Sequence, residues 1–304
     1  MKYKMVEGRN ENTLDIDILP TIDIVRKINE EDKKVAYAVE KEIESIAKAV
    51  DYIVESFNNG GRLFYLGSGT SGKIGVVDAS ECPPTFGVDD DMVQGIISGG
   101  KEAVWGWLEH TEDDEKLAIR DLKDKGVSNK DVIVGITASG NTPYVLKGIE
   151  YANELGAKTI GLICNKSGKL KYMSDICICI DVGPEVIMGS TRMKAGTAQK
   201  MVLNILSTAS MIKIGKVYSN LMINVRPINQ KLKKRVETIV YLATGENKEI
   251  IKKVLDKCNY DAKLAIVMIS KKMDLDSAKK FIKDNNGIIN QLIIESDLQR
   301  KIKK

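Results

Sequence analysis

The hexapeptide Gly67-Ser68-Gly69-Thr70-Ser71-Gly72 places three glycines and three hydroxyl side chains in six residues. Glycines let a backbone come close to a ligand, and hydroxyls add hydrogen-bond donors. A short apolar run precedes this turn and a helical stretch follows it. Free N–H groups and the dipole at a helix start favour an anion there. A second turn of the same design is Thr137-Ala138-Ser139-Gly140-Asn141-Thr142-Pro143. Pro143 suits the first helical position, where no N–H is needed. The candidate phosphate contacts are Ser68, Thr70 and Ser71 on one turn, and Ser139, Asn141 and Thr142 on the other. These six cannot all contact one phosphate directly.

The first turn also fits G-x-G-x-x-G, which in a dinucleotide site needs an acidic residue about 20 positions on. Its hydroxyls, and the second hydroxyl-rich turn, favour a phosphomonoester such as a sugar phosphate over a pyrophosphate. A nucleotide site and a plain structural turn are the alternatives. A third polar cluster runs from Gly189 to Lys200. There Ser190 or Thr191 is suited to cap the following helix, and Arg192 and Lys194 are suited to meet an anion. Capping plus solvated charge explains that cluster equally well.

Two carboxylates are candidates for proton transfer. Glu81 lies in Asp78-Ala79-Ser80-Glu81-Cys82-Pro83-Pro84-Thr85, where the double proline predicts a rigid, extended segment. Glu112 lies in the acidic run Glu109 to Glu115, which on charge alone is a solvated face. His110 is the only histidine, so no Ser-His-Asp set can be assembled.

Positioning these groups takes a scaffold. Up to about Leu19 the chain is polar and irregular, as in an extended arm. Apolar residues then recur at helical spacing from Glu30 to Asn58 (Val35, Val39, Ile43, Ile46, Val50, Ile53), which predicts one long helix. Apolar runs at Arg62 to Leu66, Val93 to Ile97, Val132 to Ile136, Thr159 to Ile163 and Ile176 to Ile180 read as strands. Helices are expected at 72–79, 101–124 and up to Leu155. Strands alternating with helices indicate an α/β fold, a doubly wound parallel sheet with flavodoxin-like layering. Ligands bind such sheets at the carboxyl ends of the strands. From Thr191 onward the pattern is helical throughout, with helices expected at 192–214, 228–243, 247–257, 260–271, 275–285 and 288–302. The expected division is an arm and long helix over 1–60, a sugar-phosphate core over 61–243, and a small C-terminal helical appendage over 244–304.

Composition narrows the partners. The net charge of +4 is small for 304 residues, and the basic residues form no stripe, which argues against nucleic-acid binding. No run approaches the ~20 apolar residues that span a bilayer, and the first residues lack a signal-peptide core. Five cysteines at irregular spacing, with one histidine, favour reduced thiols over a metal site. The expected setting is the cytoplasm, with no metal, no nucleic acid and no membrane.

The segment from Leu66 to Gly87 resembles N-acetylmuramic acid 6-phosphate etherases. So do Ala138 to Val145 and Gly189 to Lys200, and the likeness runs from Glu7-Gly8-Arg9-Asn10 into the final helical region. Residues 78 to 87 are its most specific part; the two turns alone point only to sugar isomerase (SIS) domains. The resemblance implies a SIS fold, a homodimer with the active site near the subunit interface, and no cofactor. It implies loss of D-lactate from N-acetylmuramic acid 6-phosphate to give N-acetylglucosamine 6-phosphate. It also implies that Glu81 donates the proton to the departing lactate oxygen and that Glu112 is the base at C2. Ser68 stands where alanine is more usual, and Lys73 where arginine is. An aldose–ketose isomerase and a non-catalytic sugar-phosphate sensor are the competing functions. The first has no lactate to protonate, and such sensors carry two SIS domains in a much longer chain.

Overall fold

The five apolar runs form one parallel sheet. A computed structural model describes residues 5–106, 111–225, 227 and 229–289. Its strands are β1 (Leu63–Gly67), β2 (Val93–Ile97), β3 (Val132–Thr137), β4 (Lys158–Ile163) and β5 (Ile176–Cys179), in the order β2-β1-β3-β4-β5. All residues of β1 and β3 are buried. Helices cover both faces of such a sheet, so its strands read as continuous apolar runs without alternation. Chain connections leave β1 in one direction and β3 in the other, which makes the β1/β3 boundary the switch point where ligand crevices open.

The surrounding helices are α1 (Thr21–Asp32), α2 (Lys34–Glu40), α3 (Ile43–Asn58), α4 (Gly69–Phe86), α5 (Gly100–Trp105), α6 (Glu115–Asp124), α7 (Pro143–Glu154) and α8 (Lys194–Lys213). Helix α3 packs on β1, β3 and β5, and α7 on β1, β3 and β4. The arm ahead of α1 forms short 3-10 turns. It is fastened within this chain: Asn10 Nδ2 donates to Pro184 O at 3.3 Å, and Thr13 Oγ1 to Val186 O at 2.8 Å.

The chain separates into two compact units, 1–80 with 90–208, and 81–89 with 209–304. Two of the three divisions fall inside α4 and α8, and the third falls in the loop between α4 and β2. The second unit holds a two-stranded hairpin, β6 (Val217–Tyr218) and β7 (Leu221–Met222). It also holds α9 (Gln230–Thr244), α10 (Lys248–Lys257), α11 (Ala262–Lys271) and α12 (Leu275–Asp284). Val236, Val240, Ile251, Leu255, Ile266 and Val267 fill its core. Each of these four helices begins on an Asn or Asp whose side chain accepts a backbone N–H.

Four expectations need correction. The single helix over 30–58 is three helices, interrupted at Lys33 and around Lys41 and Glu42, and Ile43 of the proposed apolar stripe is exposed. The helix over 101–124 is two, α5 and α6, with Glu112 between them. The region after Thr191 is not wholly helical, because Ser219-Asn220 turns the β6–β7 hairpin with Ser219 at φ +52°. The double proline does not make an extended segment. Pro83 and Pro84 lie in the last turn of α4, where each forfeits its N–H bond to the carbonyl one turn back and the helix continues only to Phe86. The Gly87 N–H then donates to Pro83 O at 2.9 Å, and its φ of +63° ends the helix. Most of the helix expected over 288–302 lies outside the described residues.

Candidate active site

The two hydroxyl-rich turns leave neighbouring strands, with Gly67 in register with Ile136. Both therefore reach the same edge of the first unit. They line a cavity of 490 Å³ to which Ser68, Thr70, Ser71, Ser139, Thr142 and Glu112 all contribute. Glu7 of the arm, and Met188, Gly189 and Thr191 of the loop before α8, complete the lining.

The first turn is tight because its glycines touch. A Cβ on Gly72 would lie 2.8 Å from Gly67 O and 2.6 Å from Ile97 Cγ1, so no side chain fits without moving backbone. This closeness brings the start of α4 directly over the end of β1. Its hydroxyls are held from behind. Ser68 Oγ shares a hydrogen bond with buried Ser98 Oγ at 2.6 Å, and Ser98 Oγ shares another with Thr111 Oγ1 at 3.1 Å. Ser71 Oγ donates to Gln199 Oε1 at 3.0 Å. In the second turn Thr137 Oγ1 pairs with Thr142 Oγ1 at 2.7 Å and with Ser139 Oγ at 3.3 Å. Gly140 takes φ +73° and lies against Gly168, where a Cβ would meet Gly168 Cα at 2.7 Å.

Glu112 is exposed and sits one residue after buried Thr111. Its backbone carbonyl accepts the N–H of Tyr144 at 3.0 Å, from the first turn of α7. Asp114, two residues on, caps α6 by accepting the Leu117 N–H at 3.0 Å. The Tyr144 ring is buried, and its hydroxyl donates to Asp121 Oδ2 at 2.7 Å. Burial pushes the Tyr144 phenol up and, opposed by that bond, holds Asp121 above the usual carboxylate range. The carboxylate of Glu112 is thus presented by a loop pinned at both sides.

Other sequence candidates stand elsewhere. Asn141 is spent on the turn itself: its Nδ2 donates to Ser139 O, and its Oδ1 accepts the Lys169 N–H. Ser190 is half-buried, Arg192 is exposed, and neither is among the residues lining the cavity. Lys194 is 1% exposed, and its ammonium donates to Glu31 Oε2 at 2.7 Å, so it is a buried ion pair rather than a free cation. The α8 cap is not Ser190 or Thr191. Fully buried Glu185 accepts the Lys194 and Ala195 N–H groups, both at 2.9 Å. Burial raises the Glu185 pKa against those bonds. Glu81 is exposed, in the α4 turns that belong to the second unit.

Glu7, Ser98, Thr137, Gln199, Glu31 and Glu185 are residues that sequence reasoning did not single out for this site. Ser98 carried a signal, since it ends a strand ahead of two glycines, as Ser68 and Ser139 stand near theirs. Gln199 lay within a noted cluster. Glu7, Glu31 and Glu185 reach the site region only through tertiary contacts. All five cysteines are free thiols, and burial pushes Cys177 up to about 12 and Cys258 to about 11. Among the described residues no group of His, Cys, Asp and Glu is arranged to hold a metal ion, and no helix is long and apolar enough to cross a membrane.

Comparison with known proteins agrees with this arrangement. Residues 45–153 match the family described as glucokinase regulatory protein N-terminal SIS domain, and residues 116–209 match the SIS domain family. An N-acetylmuramic acid 6-phosphate etherase of Clostridium botulinum (strain Okra / Type B1) is 54% identical over 96% of each chain. One from Caldanaerobacter subterraneus is 53% identical over 97% of this chain and 96% of its own. One from Clostridium beijerinckii is 50% identical over 98% of each. A solved phosphoheptose isomerase from Francisella tularensis is similar at a TM-score of 0.48 and 19% identity, covering 62% of this chain and 100% of that one. Identity above one half along nearly the whole length, over a parallel sheet whose hydroxyl-rich turns share one cavity, leads to one conclusion: the chain belongs to the N-acetylmuramic acid 6-phosphate etherase family.

Proposed function

We propose that this protein is a carbon–oxygen lyase that removes D-lactate from the C3 ether of N-acetylmuramic acid 6-phosphate and leaves N-acetylglucosamine 6-phosphate. The observation that carries the reading is the etherase relatives' identity of 50–54% over nearly the whole chain. The cavity supports it, since two hydroxyl-rich turns and Glu112 line one space of 490 Å³. The reaction follows from the chemistry of the sugar. Opening the ring exposes a C1 aldehyde, which acidifies the C2 proton. A base takes that proton, and the ether oxygen leaves C3 with a proton from an acid. Water then adds at C3 of the unsaturated aldehyde, so the sum is one water consumed and one lactate released. Each half needs a positioned acid–base group.

In this reading Glu112 is the base at C2 and Glu81 protonates the departing lactate. The phosphate is taken by hydroxyls and N–H groups of the two turns, at the start of α4 and α7. Arg192 and Ser190 stand as outer candidates for the same anion. The family likeness also supports a homodimer with the site near the subunit interface, and action in the cytoplasm. The deciding experiment incubates purified protein with N-acetylmuramic acid 6-phosphate and measures D-lactate and the amino-sugar phosphate together. Equimolar release is expected; no lactate at any pH from about 5 to about 8, where folded proteins are generally most stable, sinks the reading.

Two further outcomes are expected. Ser71→Ala raises KM by about tenfold or more with a smaller change in kcat, because a hydrogen bond to a charged group is worth about 1.5–3 kcal/mol. Steady-state kinetics check this, and an unchanged KM would remove Ser71 from the phosphate site. Glu81→Gln suppresses lactate release while sparing part of the exchange of the C2 proton with solvent deuterium, read by NMR. Loss of both in equal measure would contradict its assignment to the leaving group.

A further inference from the structure

Gln199 stands on α8 behind the first turn, with its side chain 1% exposed. Its neighbourhood is close-packed: a Cβ on Gly196, three residues earlier, would lie 3.6 Å from Thr70 Cγ2 and Ile74 Cδ1. Gln199 Oε1 accepts the Ser71 hydroxyl at 3.0 Å, and its buried Nε2 has no hydrogen-bond partner among the described residues. Ser71 lines the cavity. A serine hydroxyl has one proton. While that proton is given to Gln199, Ser71 offers the cavity only lone pairs, which repel an anion. Turning the terminal amide by half a revolution exchanges its oxygen and nitrogen. Nε2 then donates to Ser71 Oγ, and the serine proton is released toward the cavity. The orphaned group becomes a carbonyl oxygen, which tolerates burial better than an orphaned N–H.

We propose that Gln199 is a positioning residue: its amide turns to donate from Nε2 to Ser71 when an anion occupies the cavity, and so aims the Ser71 proton at that anion. The inference rests on the reading of Ser71 as a phosphate contact. A carboxamide is the side chain suited to this task, because it offers an acceptor or a donor in one place without charge. An ionised carboxylate there only accepts, and would hold the serine proton permanently. A thioether neither holds nor aims it.

The test measures KM for the sugar phosphate and the inhibition constant of inorganic phosphate. Gln199→Glu and Gln199→Met are each made alone and combined with Ser71→Ala. Gln199→Glu is expected to raise both constants by about tenfold or more, and Gln199→Met by about two- to fivefold, with kcat moving far less than KM. In the Ser71→Ala background Gln199→Met weakens phosphate no further, since the proton it governs is gone, while Gln199→Glu keeps only the part of its loss that its charge causes. Equal effects of Glu and Met, or the same loss from Met with and without Ser71, overturn the proposal in favour of simple packing. If Gln199→Glu does not fold, Gln199→Met in the two backgrounds decides by the same criterion. Should Ser71→Ala weaken phosphate while both Gln199 variants match wild type, the reading of the turn stands and the role of Gln199 falls. If Ser71→Ala itself changes nothing, both fall together.

Discussion

Glu112→Gln is expected to lower kcat by about a hundredfold to ten-thousandfold with little change in KM. The substitution keeps size and polarity but removes the carboxylate proposed as base, and it leaves the hydroxyls of the turns in place. The loop should keep its shape, because what fixes it is main chain and neighbours: the Tyr144 N–H on Glu112 O, and the Asp114 cap of α6. A loss confined to kcat therefore reports on proton transfer rather than on a collapsed wall. Deuterium exchange at C2 supplies the separate reading. In wild type the C2 proton is expected to wash out during turnover, and in Glu112→Gln exchange should fall in step with lactate release. Exchange at the wild-type rate in that variant would transfer the role of base to another group, and Glu7, in the same cavity lining, is the first to examine.

Glu31→Leu is expected to cost about 3–5 kcal/mol of stability, the usual result of stripping one partner from a buried ion pair. Lys194 is 1% exposed and Glu31 4%, and their atoms stand 2.7 Å apart. Without Glu31 the ammonium is left in the interior. Glu31 also accepts from Asn12 Nδ2 at 3.1 Å and pairs with Lys34, so the arm and α1 loosen together. Urea unfolding of both proteins checks the magnitude, and a loss under about 1 kcal/mol would show the pair to be replaceable. The pair should also be visible in acid. Burial raises the Glu31 pKa, but the bonds from Lys194, Lys34 and Asn12 outweigh it and leave the group at about 2, against 4.5 ordinarily. A depressed carboxylate contributes stability above its unfolded pKa and loses it as pH falls toward the folded value. The stability difference between wild type and Glu31→Gln should accordingly be constant above about pH 5 and shrink between 4.5 and about 2.

What was legible in the chain followed from local rules. The five strands showed as apolar runs because a sheet covered on both faces has no polar side to alternate with. The four helices of the second unit showed within about two residues of their bounds, although the Asn and Asp residues that cap them were not singled out. Five of the hydroxyl candidates line the cavity because the glycine turns that carry them leave adjacent strands, and Glu112 joins them from the segment ahead of α6. Local rules failed where position decided. Two prolines read as an extended segment stand in the last turn of a helix instead, because the φ that proline fixes also suits a helix. Lys194 read as a free cation because Glu31, its partner, lies 163 positions away. Ser71 and Gln199 are 128 apart, and no spacing rule links them. The family resemblance singled out Glu112, which charge alone left on a solvated face, but it did not reveal the Glu185 cap or the arm's part in the cavity.

The adjacency of β1 and β3 has a metric consequence. Neighbouring strands are about 4.8 Å apart, while two hydrogen bonds laid end to end span about 5.6 Å. Donors at the ends of these two strands are therefore close enough to meet on one small anion. The same spacing occurs in parallel sheets that bind pyrophosphates, so the strand order brings the two turns together but does not choose between one phosphoryl group and two. In the reading proposed above, that choice falls to the hydroxyls the turns carry, and substitutions in the turns should change which anion is held as well as how tightly.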